Sequence, residues 1–227
     1  MINMLSLFQL CDSNLPTGAF SHSFGLESYI QEDTVHNGET FTEWLDVFLN
    51  EQLVYSEGLA SRLVYEALDA FDLQQIWKLD RMLMAQNLPS ETRVGMQRMG
   101  VRMIEIVESL YDVPAIALYK ERIKAKKSFG NSAIVFTILA YHLQVSKKET
   151  VLYYLYSSIS SLIQNAVRAI PLGQTAGQKI IHEYKEKLAS ATAKIEQLEE
   201  EDFGIASPGL EISQMKHERV NIRIFMS

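Results

Sequence analysis

The sequence has little glycine and proline, and a single cysteine. Its 227 residues include 11 glycines and 5 prolines, below the usual share for a globular chain, which indicates few and long secondary-structure elements. The one cysteine, Cys11, excludes an intrachain disulfide and any metal site built from several thiolates. The chain is therefore suited to a reducing compartment and needs no covalent staple at this length.

Positive charge is also scarce. The chain carries 21 lysines and arginines against 28 acidic residues, a net charge of −7, whereas a nucleic-acid surface needs clustered basic residues. The longest mainly apolar run, 133–143, is too short to span a membrane, and the first residues lack the basic stretch of a secretory signal. We therefore expect a cytoplasmic protein whose partners are proteins.

Helical periodicity dominates the chain from Thr40 onward. Helix-start signals occur at Thr40–Glu43, Asp72–Gln75 and Ser146–Glu149, where a capping side chain precedes an apolar stripe. The last signal predicts one long helix over 146–170, which ends before Pro171. The pattern predicts an all-α fold, a single irregular bundle of roughly ten helices with an extended C-terminal tail.

The end of the chain has a different pattern. Ser207-Pro208-Gly209 breaks the helical periodicity, and apolar residues then alternate with polar ones at Val220, Ile222 and Ile224, which is strand periodicity without a second strand. Such a tail is either an arm laid over its own domain or a segment that waits for a partner. We predict a helical domain, 1–204, and a partner-binding tail, 205–227, that is loosely held in the free protein.

Three residues near the start of the chain could suggest a hydrolase. Asp12, Ser13 and His22 are the residue types of a catalytic triad, but a triad needs geometry rather than closeness in sequence. The simpler interpretation is that a helix stops here and the chain turns at Pro16 and Gly18. We predict no catalytic residue in this stretch.

Two further patterns fail as ligand sites. Residues 173–180 resemble a phosphate loop, but only three residues separate the glycines and Gln178 stands before the lysine, so the spacing is wrong. The five histidines are scattered without metal-ligand spacing. We therefore predict no metal site and no cofactor.

The segment around residue 100 has an unusual combination of arginine and glycine. Arg93, Arg98 and Arg102 share a predicted helix with Gly95 and Gly100, although a glycine inside a helix costs about 1 kcal/mol relative to alanine. Two such glycines indicate close approach of another backbone, within the fold or across an interface. The arginines are either a contact surface or ordinary solvated charge.

Three separated stretches carry a further signal. They are 9–27, which reads QLCDSNLPTGAFSHSFGLE; 164–178, which contains Arg168 and the run PLGQ; and 207–227, which contains LEI, HE and RIF. In this order they resemble the opening, second and closing motifs of the UreF family of urease accessory proteins.

The resemblance implies an all-helical, dimeric, cytoplasmic protein without catalytic activity of its own. It implies an adaptor that works with a D-type (also called H-type) accessory protein and a G-type GTPase, in a complex that docks on apo-urease and helps to insert nickel. Two other functions stay open: a small helical hydrolase using Ser13 and His22, and a helical ligand-binding regulator.

The predicted site residues form two groups. We predict partner contacts at Arg93, Arg98, Arg102, Gln164, Arg168, Gln174, Met215, His217, Glu218, Arg223 and Phe225. We predict a structural role for Asp12, Ser13, Pro16, Gly18, His22, Glu27, Pro171 and Gly173. For Gly173 we expect a positive φ that a side chain would strain.

Overall fold

The computed structural model describes residues 2–205, 207–220 and 222–227. These residues form an all-α fold without strands, which confirms the predicted fold class. Besides short 3-10 turns and one π-helical segment, the structure contains α1 (Ile2–Cys11), α2 (Leu26–Gln31), α3 (Gly38–Val47), α4 (Leu59–Asp69), α5 (Leu73–Gln86), α6 (Ser90–Leu110), α7 (Pro114–Lys124), α8 (Ser132–His142), α9 (Lys147–Ala169), α10 (Gln174–Ile195) and α11 (Pro208–His217).

The helix-start signals are confirmed at two places and displaced at the third. Ser146 caps α9 in a box with Glu149, and the Asp72 carboxylate accepts the Gln75 amide at 3.1 Å. The cap of α3 is Asn37, whose Oδ1 accepts two amides at 2.9 and 3.0 Å. Thr40, predicted as the cap, instead takes the third helical position and bonds back to Asn37.

A π-helical segment, Phe48–Gly58, joins α3 to α4 without a break. The predicted helix from Thr40 to about residue 56 therefore continues to Asp69. A π-helix is wider than an α-helix, and it usually occurs only as a single turn. Here it extends over eleven residues, of which seven, including Leu49, Leu53 and Val54, are buried.

The centre of the bundle is α8, in which every residue from Ala133 to Ala140 is buried. Because an apolar surface runs all the way round it, this helix needs neighbours on every side. It packs against α4, α6, α7 and α9. Outside this centre, α10 packs on α9 and buries an apolar stripe of residues three or four positions apart, Tyr184, Leu188, Ala191 and Ile195.

The two glycines of α6 allow close contacts inside the fold. A Cβ on Gly100 would lie 2.7 to 2.9 Å from the backbone of Gly130 and Asn131, and one on Gly95 would lie 2.5 to 3.1 Å from the ring of His22. The predicted close approach of another backbone is therefore confirmed at Gly100, whereas Gly95 makes room for a side chain. Both contacts lie within the fold, which was one of the two alternatives expected.

The turn between α9 and α10 corrects the expectation for Gly173. Its φ is −68°, and a Cβ there would meet nothing within 4 Å. Gly173→Ala should therefore change the free energy of unfolding by less than about 1 kcal/mol, the small cost of a poorer N-cap. Urea unfolding followed by circular dichroism measures this, and a loss of 2 kcal/mol or more would restore the strain hypothesis.

The end of the chain is packed on the domain rather than extended. We call residues 207–220 and 222–227 the C-terminal segment; it consists of α11 and an irregular stretch, so the predicted strand periodicity is wrong. Helix α11 packs on α2 and α6, and Leu210, His217 and Phe225 are buried. Of the two alternatives, the structure has the arm laid over its own domain, while its partner-binding role stays a prediction.

No helix in the described ranges is long and apolar enough to cross a membrane.

Candidate partner-binding surface

The buried carboxylate of Glu27 holds the C-terminal segment to α2. Glu27 is 3% exposed and accepts the backbone amides of Ile224 and Phe225 at 2.5 and 3.1 Å. Its Oε2 also lies 2.8 Å from Nε2 of His217. These bonds satisfy the backbone of a stretch that has no strand partner, which is why alternation in the sequence does not produce a strand.

The imidazole of His217 lies between two carboxylates. It is fully buried, and its Nδ1 lies 2.8 Å from Oε2 of Glu91 at the start of α6. The other oxygen of Glu91 accepts from Arg223 at 2.5 Å. Desolvation opposes ionisation of Glu91, but the bonds from His217 and Arg223 outweigh it and lower the pKa of this carboxyl. We call Glu27, Glu91, His217 and Arg223 the charged clasp.

A second set of bonds holds the last residue. The carbonyl of Ser227 accepts both the amide and the hydroxyl of Ser23 at 2.6 Å, and its own Oγ lies 2.8 Å from Nδ1 of His22. Burial lowers the pKa of His22, and the charges of Arg98 and His217 lower it further. The ring is therefore neutral at pH 7 and is held as a structural group.

Arg168 joins the second motif to the other two. Its guanidinium lies 5.2 Å from the ring centre of Phe225 and 5.8 Å from that of Phe20, distances typical of cation–π contacts. It also donates to the carbonyl of Phe20 and, at 2.6 Å, to Oδ1 of Asn165. The Asn165 amide group in turn donates to the carbonyl of His22 at 2.7 Å. The three sequence motifs thus meet at one place.

An open groove lies beside this junction. Its apolar lining includes Ile30 of α2 and, from the C-terminal segment, Ile222 and Ile224; Lys216 and Arg219 also line it, and its volume is about 660 Å³. Ile222 is 85% exposed and Ile224 is 61% exposed. Apolar side chains left this far in solvent beside one another indicate an interaction surface.

Four of the predicted site residues are buried in the monomer. His217 and Phe225 were expected to touch a partner, but they are 0% and 3% exposed and instead hold the C-terminal segment in place. His22 and Glu27, predicted as structural, are 5% and 3% exposed. In this conformation all four act inside the domain.

The three arginines of α6 differ in their surroundings. Arg93 is half-buried and donates to the carbonyls of Asn87 and Leu88. Arg102 is paired with Glu105 at 2.6 Å and donates to the carbonyl of Pro16. Arg98 is exposed, and no hydrogen bond or ion pair joins it to the described residues.

The remaining predicted residues lie at or near the surface. Gln164 is half-buried; Gln174, Met215, Pro171 and Gly173 are exposed. Glu218 is also exposed and caps α6 by accepting from the amide and hydroxyl of Ser90. Gly18 has a φ of +92°, so the predicted turn at that position is confirmed.

The possible triad is not assembled. Asp12 and Ser13 lie exposed in the loop after α1, and Asp12 accepts from Asn14 at 2.9 Å. His22 contacts Ser227 rather than Ser13. No observation of this structure therefore favours the hydrolase interpretation.

Sequence reasoning missed several residues of this junction. Four residues that were not predicted make hydrogen bonds at this junction: Glu91, Asn165, Ser23 and Ser227. They were missed because a single polar side chain on a helix or in a loop carries no periodic signal. Glu91 follows a helix-opening proline, Pro89, where an acidic residue is common for reasons of helix capping alone.

The described side chains do not form a metal site. Across 2–205, 207–220 and 222–227, no set of three or more His, Cys, Asp or Glu side chains is arranged so that it could hold an ion; the ring nitrogens of His217 face Glu27 and Glu91 directly. Cys11 is buried, and burial raises the pKa of its thiol to about 12. That thiol is a poor nucleophile and a poor metal ligand at neutral pH.

Comparisons with a family model and with known proteins agree. The UreF family model matches residues 35–185. Over all 227 residues the chain is 51% identical to a protein named urease accessory protein UreF from Bacillus sp. (strain TB-90), and the alignment covers both chains completely. That alignment includes the opening and closing motifs, which lie outside the range matched by the family model.

Proposed function

The chain belongs to the UreF family of urease accessory proteins and has a role in urease maturation, and we propose that it acts as a non-enzymatic adaptor. In this proposal it bridges a D-type accessory protein and a G-type GTPase in the cytoplasm, so that nickel can be inserted into apo-urease. The observation that carries the proposal is the exposed groove beside the junction of the three motifs.

The groove has the properties of a protein-binding surface. Its exposed isoleucines, Ile222 and Ile224, offer apolar area. Arg219 contributes positive charge in a chain whose net charge is −7, beside Lys216, which is paired with Glu32. A partner segment with apolar side chains flanked by acidic ones would complement both features. We assign this surface to the D-type accessory protein.

Arg98 supports a separate contact with the GTPase. It is the arginine of α6 that is not committed to a neighbour in the described structure, and it lies between Val94 and Val101, which are 41% and 37% exposed. An uncommitted guanidinium flanked by apolar side chains is typical of an interface contact. We propose that this face of α6 meets the GTPase, and that the working form is a homodimer.

The first test is recruitment of the D-type protein by a groove variant. In Ile222→Asp/Ile224→Asp, two exposed side chains become acidic without a change in the buried clasp. We expect at least a tenfold loss of co-purification with the D-type protein and a matching loss of urease activation. The melting temperature should stay within a few degrees of the unmodified value, because both side chains are exposed.

Phe71 provides the matched control. It is 89% exposed on the turn between α4 and α5, away from the groove, so Phe71→Asp removes a comparable apolar side chain. This variant should recruit the D-type protein normally. Equal recruitment of the D-type protein by both variants would refute the groove assignment. Sedimentation of the purified chain separately measures whether it is a dimer.

A further inference from the structure

A partly open cavity lies within the bundle, apart from the surface groove. It has a volume of about 100 Å³ and lies between the π-helical segment, α6, α8 and α9, beneath the loop that follows α1. Met96, Met99 and Met103 contribute side chains from α6, and Ser157 and Ser161 contribute hydroxyls from α9. The cavity therefore has an apolar wall and a wall with hydrogen-bonding groups.

A buried carboxyl group reaches this cavity from the π-helical segment. Glu57 is 8% exposed and lines the cavity together with Gln52. Its polar partners are the hydroxyl of its neighbour Ser56 and its own backbone amide; no other element of the described chain donates to it. A buried carboxyl that depends only on local partners has bonding capacity left for a ligand.

Burial disfavours the charged form of this group. Desolvation raises the pKa of Glu57, against the opposing effect of its bonds with Ser56 and its own amide. No lysine, arginine or histidine lines the cavity, whereas a second carboxyl group, that of Asp12, does, so no cationic side chain there favours a negative charge. In its neutral form Glu57 has one hydroxyl to donate and one carbonyl oxygen to accept.

We propose that this cavity is a binding site for a small neutral primary amide with a short apolar tail. A carboxylic acid and a primary amide form two complementary hydrogen bonds, because each group supplies one donor and one acceptor. The methionine side chains would surround the tail, since a thioether side chain adapts well to irregular apolar shapes. The cavity, at about 100 Å³, is smaller than an engineered apolar cavity of about 150 Å³ that binds benzene, so it admits only a short ligand whose tail can reach the open side.

The test uses three molecules of nearly equal shape and different charge: butanamide, butanoate and butylammonium. A ligand that binds only the folded protein raises the melting temperature as its concentration rises. We expect butanamide to raise it saturably in the full chain and the other two to leave it unchanged. Soaked crystals should then show butanamide beside Glu57.

Two variants separate binding from stability. Ser161→Leu fills the cavity from the α9 side and should abolish the butanamide effect, while Glu57→Gln keeps a donor and an acceptor and should retain it. A saturable effect of butylammonium would identify a cation site with an ionised Glu57 and overturn the proposal. Equal responses of the unmodified chain and Ser161→Leu, or no saturable response to butanamide, would also overturn it.

Discussion

Glu27→Ala is expected to lower the free energy of unfolding by about 3 to 5 kcal/mol. The change removes the acceptor of two backbone amides, those of Ile224 and Phe225, and leaves the fully buried His217 with one carboxylate instead of two. Buried donors without partners cost more than the bonds themselves contribute. The irregular end of the C-terminal segment should therefore detach.

Urea unfolding and limited trypsin digestion measure this result. Cleavage after Arg219 and Arg223 should become much faster in Glu27→Ala, because both lie on the detached stretch. The control is Glu32→Ala, which removes an exposed ion pair of 2.6 Å to Lys216 and should cost less than about 1 kcal/mol. If the two variants were equally stable and equally resistant to trypsin, the clasp would not hold the segment.

Asp80→Ala should lower the free energy of unfolding by about 3 kcal/mol or more. The Asp80 carboxylate is 1% exposed and accepts from the Tyr119 hydroxyl at 2.5 Å and from the amides of Phe129 and Gly130 at 2.7 and 3.3 Å. It therefore joins α5 to α7 and to the loop before α8. Its loss leaves three donors without this partner, of which those of Tyr119 and Gly130 are buried.

The same helix supplies a matched control. Asp72 caps α5 at an exposed position with a single amide bond, and Asp72→Ala should cost about 1 kcal/mol. Calorimetric melting distinguishes the two variants, and hydrogen exchange should show faster exchange at the amides of Phe129 and Gly130 only in Asp80→Ala. If Asp80→Ala lowered the free energy of unfolding no more than Asp72→Ala does, the hydrogen bonds of Asp80 would not be a main source of stability.

Local signals in the sequence predict the helices well. Each of these signals involves only a few neighbouring residues. The cap at Ser146 locates the start of α9, and Pro171 locates its end. The cap of α3 shows the limit of such signals: the pattern predicted Thr40, whereas Asn37 caps the helix and Thr40 is its third residue. The π-helical segment has no composition that distinguishes it from α-helix.

The candidate site could be predicted only in part, because its contacts are distant in sequence. The residue types at positions 27 and 217 do not reveal that the side chains of Glu27 and His217 are in contact, because 190 positions separate them in the sequence. The alternation of Val220, Ile222 and Ile224 was misread as a strand for the same reason. Side chains far away in sequence, not a neighbouring strand, satisfy that backbone.

The charged clasp also has a consequence for the order in which the protein can be completed during synthesis. Glu27 emerges from the ribosome long before His217, Ile224 and Phe225, and at 5 to 20 residues per second the interval is roughly 10 to 40 s. Throughout that time a carboxylate destined for the interior stays in water. The opening motif is therefore the first part of this junction to be made, yet it is among the last to reach its native contacts.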